Sequence, residues 1–156
     1  MKEESQNRVL VNGILIQNII LDMNGTLSVQ GVIKESTKEI IHRLKGVGYK
    51  IVLFSGDVRG TAQDLCNDLN IDFKKAKDGN DKETYAKLFK KEETVAVGNS
   101  RIDIGTFKNS VLSIATLQPE GIHTDIIKYV DIICPSIDDA LSLLFDQKSL
   151  DGTLKQ

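Results

Sequence analysis

Ile19-Ile20-Leu21-Asp22-Met23-Asn24-Gly25-Thr26-Leu27 is the stretch on which the reading of this chain turns. A short run rich in β-branched residues that stops at a glycine reads as a buried strand entering a turn. The first residue past the apolar run is a carboxylate, and the next few offer backbone N–H groups and a hydroxyl. A carboxylate at the carboxyl end of a buried strand can serve as a nucleophile toward phosphorus.

Working outward, residues 8–11 and 14–16 are apolar runs separated by Asn12-Gly13, the strongest short-range hairpin signal. Residues 28–33 are polar and glycine-bearing, which suits a small flap or hairpin. Ser36 with Glu39 reads as a capping box, and Ile40, Ile41, Leu44 and Val47 recur at helical spacing until Gly46 and Gly48 end the helix. Residues 49–54 form a second buried strand with Ser55-Gly56-Asp57 at its end. Ala62, Leu65, Cys66 and Leu69 mark the next helix, and residues 71–73 a short strand. Asn80 with Glu83 suggests another cap, for a helix whose apolar face is Tyr85, Leu88 and Phe89.

Residues 94–97 form the next strand, which runs into Gly98-Asn99-Ser100-Arg101-Ile102-Asp103. A short helix to about Lys108, a strand over residues 111–115, a helix over 122–129 and a strand over 130–133 follow, the last stopped by Pro135. Ser136 with Asp139 caps a helix with Ile137, Ala140, Leu141 and Leu144 facing inward. From Gln147 the chain reads as a polar, loosely held tail. Strands alternating with helices in this rhythm predict right-handed β-α-β units and a mainly parallel sheet with helices on both faces. The expected organisation is one α/β domain over residues 1–156, with its core at about 8–146 and the tail at 147–156.

Totals narrow the function. The chain has 156 residues, a net charge of −2, 40% hydrophobic and 5% aromatic residues and no Trp. Neither a basic face nor a base-stacking surface is present in that balance, so nucleic acid is not expected as a partner. Residues 1–7 are polar and acidic and lack the apolar core of a signal peptide. No apolar stretch approaches the ~20 residues of a membrane helix. Cys66 and Cys134 match no metal spacing and read as buried reduced thiols; a cytoplasmic protein is expected.

Four groups fall at the carboxyl ends of predicted strands or beside them: Asp22, Ser55, Lys82, and Asn99 with Asp103. A carboxylate nucleophile, a phosphate-binding hydroxyl, a lysine and a second carboxylate are parts that phosphoryl transfer uses. Taken singly each has a plainer reading. Asp22 and Asn99 suit turns, Asp57 suits a helix cap, and Lys82 stands among surface lysines with Lys77 as its rival. His42 and His123 match no motif.

Together the motifs resemble those of the haloacid dehalogenase-like (HAD) phosphohydrolases, and within them the phosphorylation domain of P-type ATPases and its small soluble relatives. Asp22-Met23-Asn24-Gly25-Thr26-Leu27 is similar to the first motif, Asp-x-Asp-Gly-Thr or Asp-Lys-Thr-Gly-Thr. Ser55-Gly56-Asp57 is similar to the second, Asn80-Asp81-Lys82 to the lysine motif, and Val97-Gly98-Asn99-Ser100-Arg101-Ile102-Asp103 to the acidic fourth. All occur in family order, over about residues 11–144. The resemblance implies a Rossmann-like three-layer core and a Mg2+-dependent phosphatase working through an aspartyl-phosphate on Asp22. It also implies Mg2+ ligands at Asp22, Asn99, Asp103 and the backbone carbonyl of Asn24. Phosphoryl oxygens would be held by Ser55, Gly25 and Gly56, with Lys82 offsetting their charge.

Departures from the pattern bear on rate. Asn24 stands where active phosphatases of this superfamily carry the general acid–base Asp, a loss typically worth ~10²–10⁴-fold. Asn99 removes a charge from the metal site, and Ser100 and Ile102 replace Gly and Asn. The intervals between motifs cannot house a cap domain or an inserted nucleotide-binding domain, so the site is expected to be open. An open site is compatible with a large phosphorylated substrate and with a homo-oligomer. Two other readings stand beside a slow phosphatase: a catalytically weakened interaction or regulatory module, and a receiver-like phosphoacceptor, against which the motif order argues.

Overall fold

The computed structural model describes residues 8–155; the acidic start at residues 1–7, and Gln156, lie outside the described residues. A hairpin of β1 (Leu10–Val11) and β2 (Ile14–Leu15) opens it. Asn12 and Gly13 at its tip take φ of 54° and 78°, the left-handed pair that an Asn-Gly turn supplies. In chain order there follow β3 (Asn18–Asp22), α1 (Glu35–Gly46), β4 (Lys50–Ser55), α2 (Ala62–Leu69), β5 (Asp72–Lys75) and α3 (Gly79–Ala86). The second half comprises β6 (Thr94–Gly98), α4 (Ile104–Lys108), β7 (Leu112–Thr116), β8 (Ile132–Cys134), α5 (Ile137–Ser142) and α6 (Gln147–Leu154).

Six strands make one parallel sheet in the order β5-β4-β3-β6-β7-β8. From β3 the chain winds outward through β4 and β5, then returns to β6 on the other side. The crevice between β3 and β6 is therefore the switch point, where ligands of open α/β sheets gather. Register pairs Leu21 with both Leu53 and Val97, so Asp22, Ser55 and Gly98 finish at one edge.

Side chains alternate between two cores, as the pleat requires. Ile19, Leu21, Ile51, Leu53, Val95 and Val97 belong to the larger core with Ile41, Leu44, Cys66, Leu141 and Leu150, which places α1, α2, α5 and α6 on that face. Ile20, Val52 and Phe54 meet Ala86 of α3, and Ala96 and Ala115 meet Phe107 of α4, on the other. The three-layer α/β expectation, with its N-terminal hairpin, holds, and the described residues include no cap domain.

Local readings fail where a tertiary partner competes. Ser36 forms no capping box with Glu39: it lies inside α1, after the N-cap Lys34, and its hydroxyl donates to Asp138 Oδ2 at 2.6 Å. The N-cap of α3 is Asp78 rather than Asn80, its carboxylate accepting from the Asp81 N–H. Ser136 caps α5 as expected, accepting from the Asp139 N–H. The segment expected as a helix over 122–129 is a 3-10 helix, Thr124–Tyr129. Residues 28–33 form the expected flap: Val29 and Val32 exchange backbone hydrogen bonds of 2.9 and 3.0 Å around Gln30 and Gly31, at φ 53° and 81°.

The loosely held tail is the largest correction. From Gln147 the chain forms α6, capped by Asp146 and anchored by a fully buried Leu150. The Gln147 carboxamide accepts from the Leu10 N–H at 2.7 Å and donates to the Leu10 carbonyl at 2.9 Å, which ties the last helix to the first hairpin. One buried leucine is too weak a pattern to announce a helix, and the pairing with Leu10 is non-local. Cys66 and Cys134 are free and buried. No helix among the described residues is long and apolar enough to cross a membrane.

Candidate active site

Asp22 is the last residue of β3, and the chain leaves the sheet there through a tight loop. The Gly25 N–H donates to the Ser28 carbonyl, and the Leu27 N–H to that of Asp22. Gly25 sits at φ 79°, and a Cβ on it would strike the Asn99 carboxamide, so only glycine fits here. Across the crevice β6 delivers Gly98, where a Cβ would strike the Asp103 carboxylate. The two glycines let the loops after β3 and β6 approach each other.

Lys82 decides the electrostatics. It projects from α3, is only 1% exposed, and its ammonium donates to Asp22 Oδ1 at 2.6 Å and to Asp103 Oδ1 at 2.7 Å. Lys77, its rival in the sequence, is exposed. The second oxygen of Asp103 is also committed, accepting from the Asn99 and Ser100 N–H groups at 3.0 and 3.1 Å and from the Ser100 hydroxyl at 3.2 Å. One ammonium faces two carboxylates. Burial and the charge of Asp103 push Asp22 up to about 7, against the opposing pull of Lys82. The same two carboxylates hold the Lys82 ammonium above its ordinary range despite burial. Both directions follow from one cation serving two anions in a desolvated place.

Asp22 Oδ2 and Asn99 Oδ1 are the less committed oxygens, and both lie 3.3 Å from the Thr26 hydroxyl. One hydroxyl proton cannot serve two acceptors well. The Asn99 amide nitrogen donates to the Gly121 carbonyl at 3.1 Å, which leaves its oxygen on the Thr26 hydroxyl that Asp22 also faces. Asp22 and Asn99 thus present two convergent oxygens, a donor set that suits a hard cation such as Mg2+. No group of three or more His, Cys, Asp or Glu residues among the described residues is arranged to hold a metal.

The other expected site residues are placed as follows. Ser55 is buried at the end of β4, and its hydroxyl accepts from the Asp57 N–H at 3.0 Å. Gly56 follows it, against the Ala76 and Lys77 backbone. Asp57 accepts from the Ala62 N–H at the start of α2 at 2.8 Å, although the N-cap position itself is Thr61. Asn24 is exposed at the mouth, on the loop between Asp22 and Gly25. Asp22, Lys82, Asp103 and Asn99 are linked directly or through Thr26; Ser55 and Asn24 stand beside them without a side-chain bond to the cluster.

Sequence reading missed Gln118. Its amide donates to the Gly25 and Thr26 carbonyls at 2.9 and 3.0 Å, and its oxygen accepts from the Ile137 N–H at 3.0 Å. It therefore clamps the loop after Asp22 to the start of α5. No local pattern marks a glutamine for this, because the Gly25, Thr26 and Ile137 groups it joins are backbone groups of distant segments.

Solved structures match this open parallel sheet along nearly the whole chain. The cobalt-bound deoxy-D-mannose-octulosonate 8-phosphate phosphatase of Haemophilus influenzae superposes with a TM-score of 0.74 at 15% identity, covering 98% of this chain and 96% of that one. The 3-deoxy-D-manno-octulosonate 8-phosphate phosphatase of Moraxella catarrhalis, in complex with magnesium, phosphate and KDO, gives 0.74 at 14% identity, over 96% and 94%. The Yersinia pestis 3-deoxy-D-manno-octulosonate 8-phosphate phosphatase gives 0.68 at 16%, over 94% and 87%. At this identity the likenesses show the fold alone: the chain shares the open α/β fold of those phosphatases. All three neighbours are phosphatases and none is an ATPase, so the ATPase side of the resemblance stays with the sequence motifs. No family model and no curated protein matches the sequence.

Proposed function

We propose that this protein is a divalent-metal-dependent phosphatase that forms an aspartyl-phosphate on Asp22 and turns over slowly. The observation that carries the reading is the buried Asp22–Lys82–Asp103 triad at the switch point, with bonds of 2.6 and 2.7 Å. So expensive a cluster of buried charges is seldom kept for stability alone.

In the first step a carboxylate oxygen of Asp22 attacks phosphorus, a P–O bond to Asp22 forms, and the bond to the leaving-group oxygen breaks. Lys82 offsets charge on the phosphoryl oxygens, and Ser55 with the N–H groups around Gly25 and Gly56 orients them. Asp103 holds Lys82 in place through Oδ1. Mg2+, held by Asp22, Asn99 and the Asn24 carbonyl, with Asp103 beside them, would supply neutralisation of the developing charge. In the second step water attacks the acyl phosphate and returns Asp22 and free phosphate. Asn24 cannot exchange protons as a carboxyl would, so the leaving group departs without acid help and water attacks without base help. Phosphate monoesters with good leaving groups, and acyl phosphates, are the substrates such a site handles best.

A regulatory or interaction module is the second reading, favoured by Asn24 and Asn99 in place of acids. One experiment separates the two: Mg2+-dependent phosphate release from acetyl phosphate and a small aryl phosphate, in wild type and Asp22→Asn. Release that the substitution abolishes supports the phosphatase; release that it leaves unchanged removes Asp22 from the chemistry. We place the protein in the cytoplasm and leave its open site free for a large substrate or for a second copy of the chain.

A further inference from the structure

We propose that metal and phosphoryl group bind to this site as an interdependent pair, each weakly without the other, because Asn99 leaves the site one carboxylate short. The inference rests on reading the site as a phosphoryl-transfer centre, and it concerns the order and strength of binding rather than the chemistry.

Charge and hydrogen bonding lead to it. The buried cluster holds two carboxylates, Asp22 and Asp103, and one ammonium, Lys82. Asp103 is spent within the protein: one oxygen takes Lys82, and the other takes two N–H groups and a hydroxyl. Asp22 gives one oxygen to Lys82. The side-chain oxygens that remain for a cation are Asp22 Oδ2 and Asn99 Oδ1, both lying 3.3 Å from the Thr26 hydroxyl.

The Asn99 oxygen is not there by chance. Its amide nitrogen is anchored on the Gly121 carbonyl, and the His123 N–H donates to its backbone carbonyl at 2.9 Å. Gly25 leaves room for the carboxamide where any Cβ would collide. The fold thus fixes a neutral oxygen at this position, where it adds a ligand and no charge.

With both carboxylates ionised, a dication entering alone turns a cluster of one net negative charge into one of net positive charge, in a place with little water to spread it. A phosphate dianion entering alone meets a cluster that is already negative. Entering together, the two cancel and restore the original balance. Each ligand therefore raises the affinity of the other, and by thermodynamic linkage the two factors are equal.

The test is a calorimetric titration of Mg2+ into the wild-type protein, with and without saturating inorganic phosphate, corrected for Mg2+–phosphate association in solution. The expected result is Mg2+ binding tighter by about tenfold or more when phosphate is present, within the range of strong binding coupling. Phosphate binding should tighten by the same factor when Mg2+ is present. Asn99→Asp should tighten Mg2+ alone and shrink the coupling to about threefold or less. Equal Mg2+ affinity with and without phosphate overturns the proposal, as does an Asn99→Asp protein that folds and keeps the wild-type coupling. A protein that couples the two ligands but shows no Asp22-dependent turnover keeps this inference and loses the phosphatase reading. One that turns over and binds Mg2+ indifferently to phosphate does the reverse.

Discussion

Lys82 Nζ lies 2.6 Å from Asp22 Oδ1, although the two residues are 60 positions apart in the chain. The contact is made in a buried place, with Asp103 on the other side of the ammonium at 2.7 Å. Replacing Lys82 by Met leaves two desolvated carboxylates without a counter-charge. Losing one partner of a buried ion pair costs about 3–5 kcal/mol. Lys82→Met should therefore lower the urea midpoint strongly, and adding Asp22→Asn and Asp103→Asn to it should recover most of the loss. Urea unfolding of the single and triple variants checks both statements.

Asn24 is exposed beside the nucleophile and has no side-chain hydrogen bond to the cluster. Asn24→Asp should leave stability within about 0.5 kcal/mol of wild type, as for exposed positions generally. Hydrolysis of an aryl phosphate should rise by about 10²-fold, the lower end of what acid–base help contributes. Steady-state rates with Mg2+ measure it; an unchanged rate removes proton transfer as the limit.

Leu150 is fully buried and Gln147 bonds the backbone of Leu10. Leu150→Ala should cost about 2–5 kcal/mol, the usual range for a buried leucine. Ending the chain after Asp146 should destabilise it further by also freeing the hairpin. Denaturant titration of both proteins is the measurement, and a truncated protein of wild-type stability would show α6 to be dispensable.

Burial pushes the thiols of Cys66 and Cys134 up to about 11 from an ordinary 9.0. At pH 8 their thiolate fraction is then about a hundredfold lower than that of a free cysteine, and native alkylation by iodoacetamide should be slower in proportion. The folded state favours the neutral thiol, so this contribution to stability is complete below about pH 9 and is lost as pH rises through about 11. Alkylation rates from pH 7 to 10, native and in urea, test the direction.

Most of the sheet was legible because its strands, β5 apart, are short apolar runs with β-branched residues, and each ends on a small or polar residue. Asp22, Ser55, Asn99 and Asp103 could be placed at one edge for that reason: in a parallel sheet all carboxyl ends point the same way. The caps at Ser36 and Asn80 were misread because a hydroxyl or a carboxylate bonds the strongest partner in reach. For Ser36 that partner is Asp138, 102 positions away.

By itself the sequence determined the α/β class, the strand that carries Asp22, and the absence of an acid at positions 24 and 99. These follow from local periodicity and from residue identity. Only the tertiary structure decided that Lys82 and not Lys77 enters the site, that Asp103 spends both oxygens within the protein, and that Gln118 clamps the loop after Asp22. It also turned the expected tail into α6. Such matters depend on which groups share a desolvated space, and burial there is set by segments distant in the chain, so no local pattern records them.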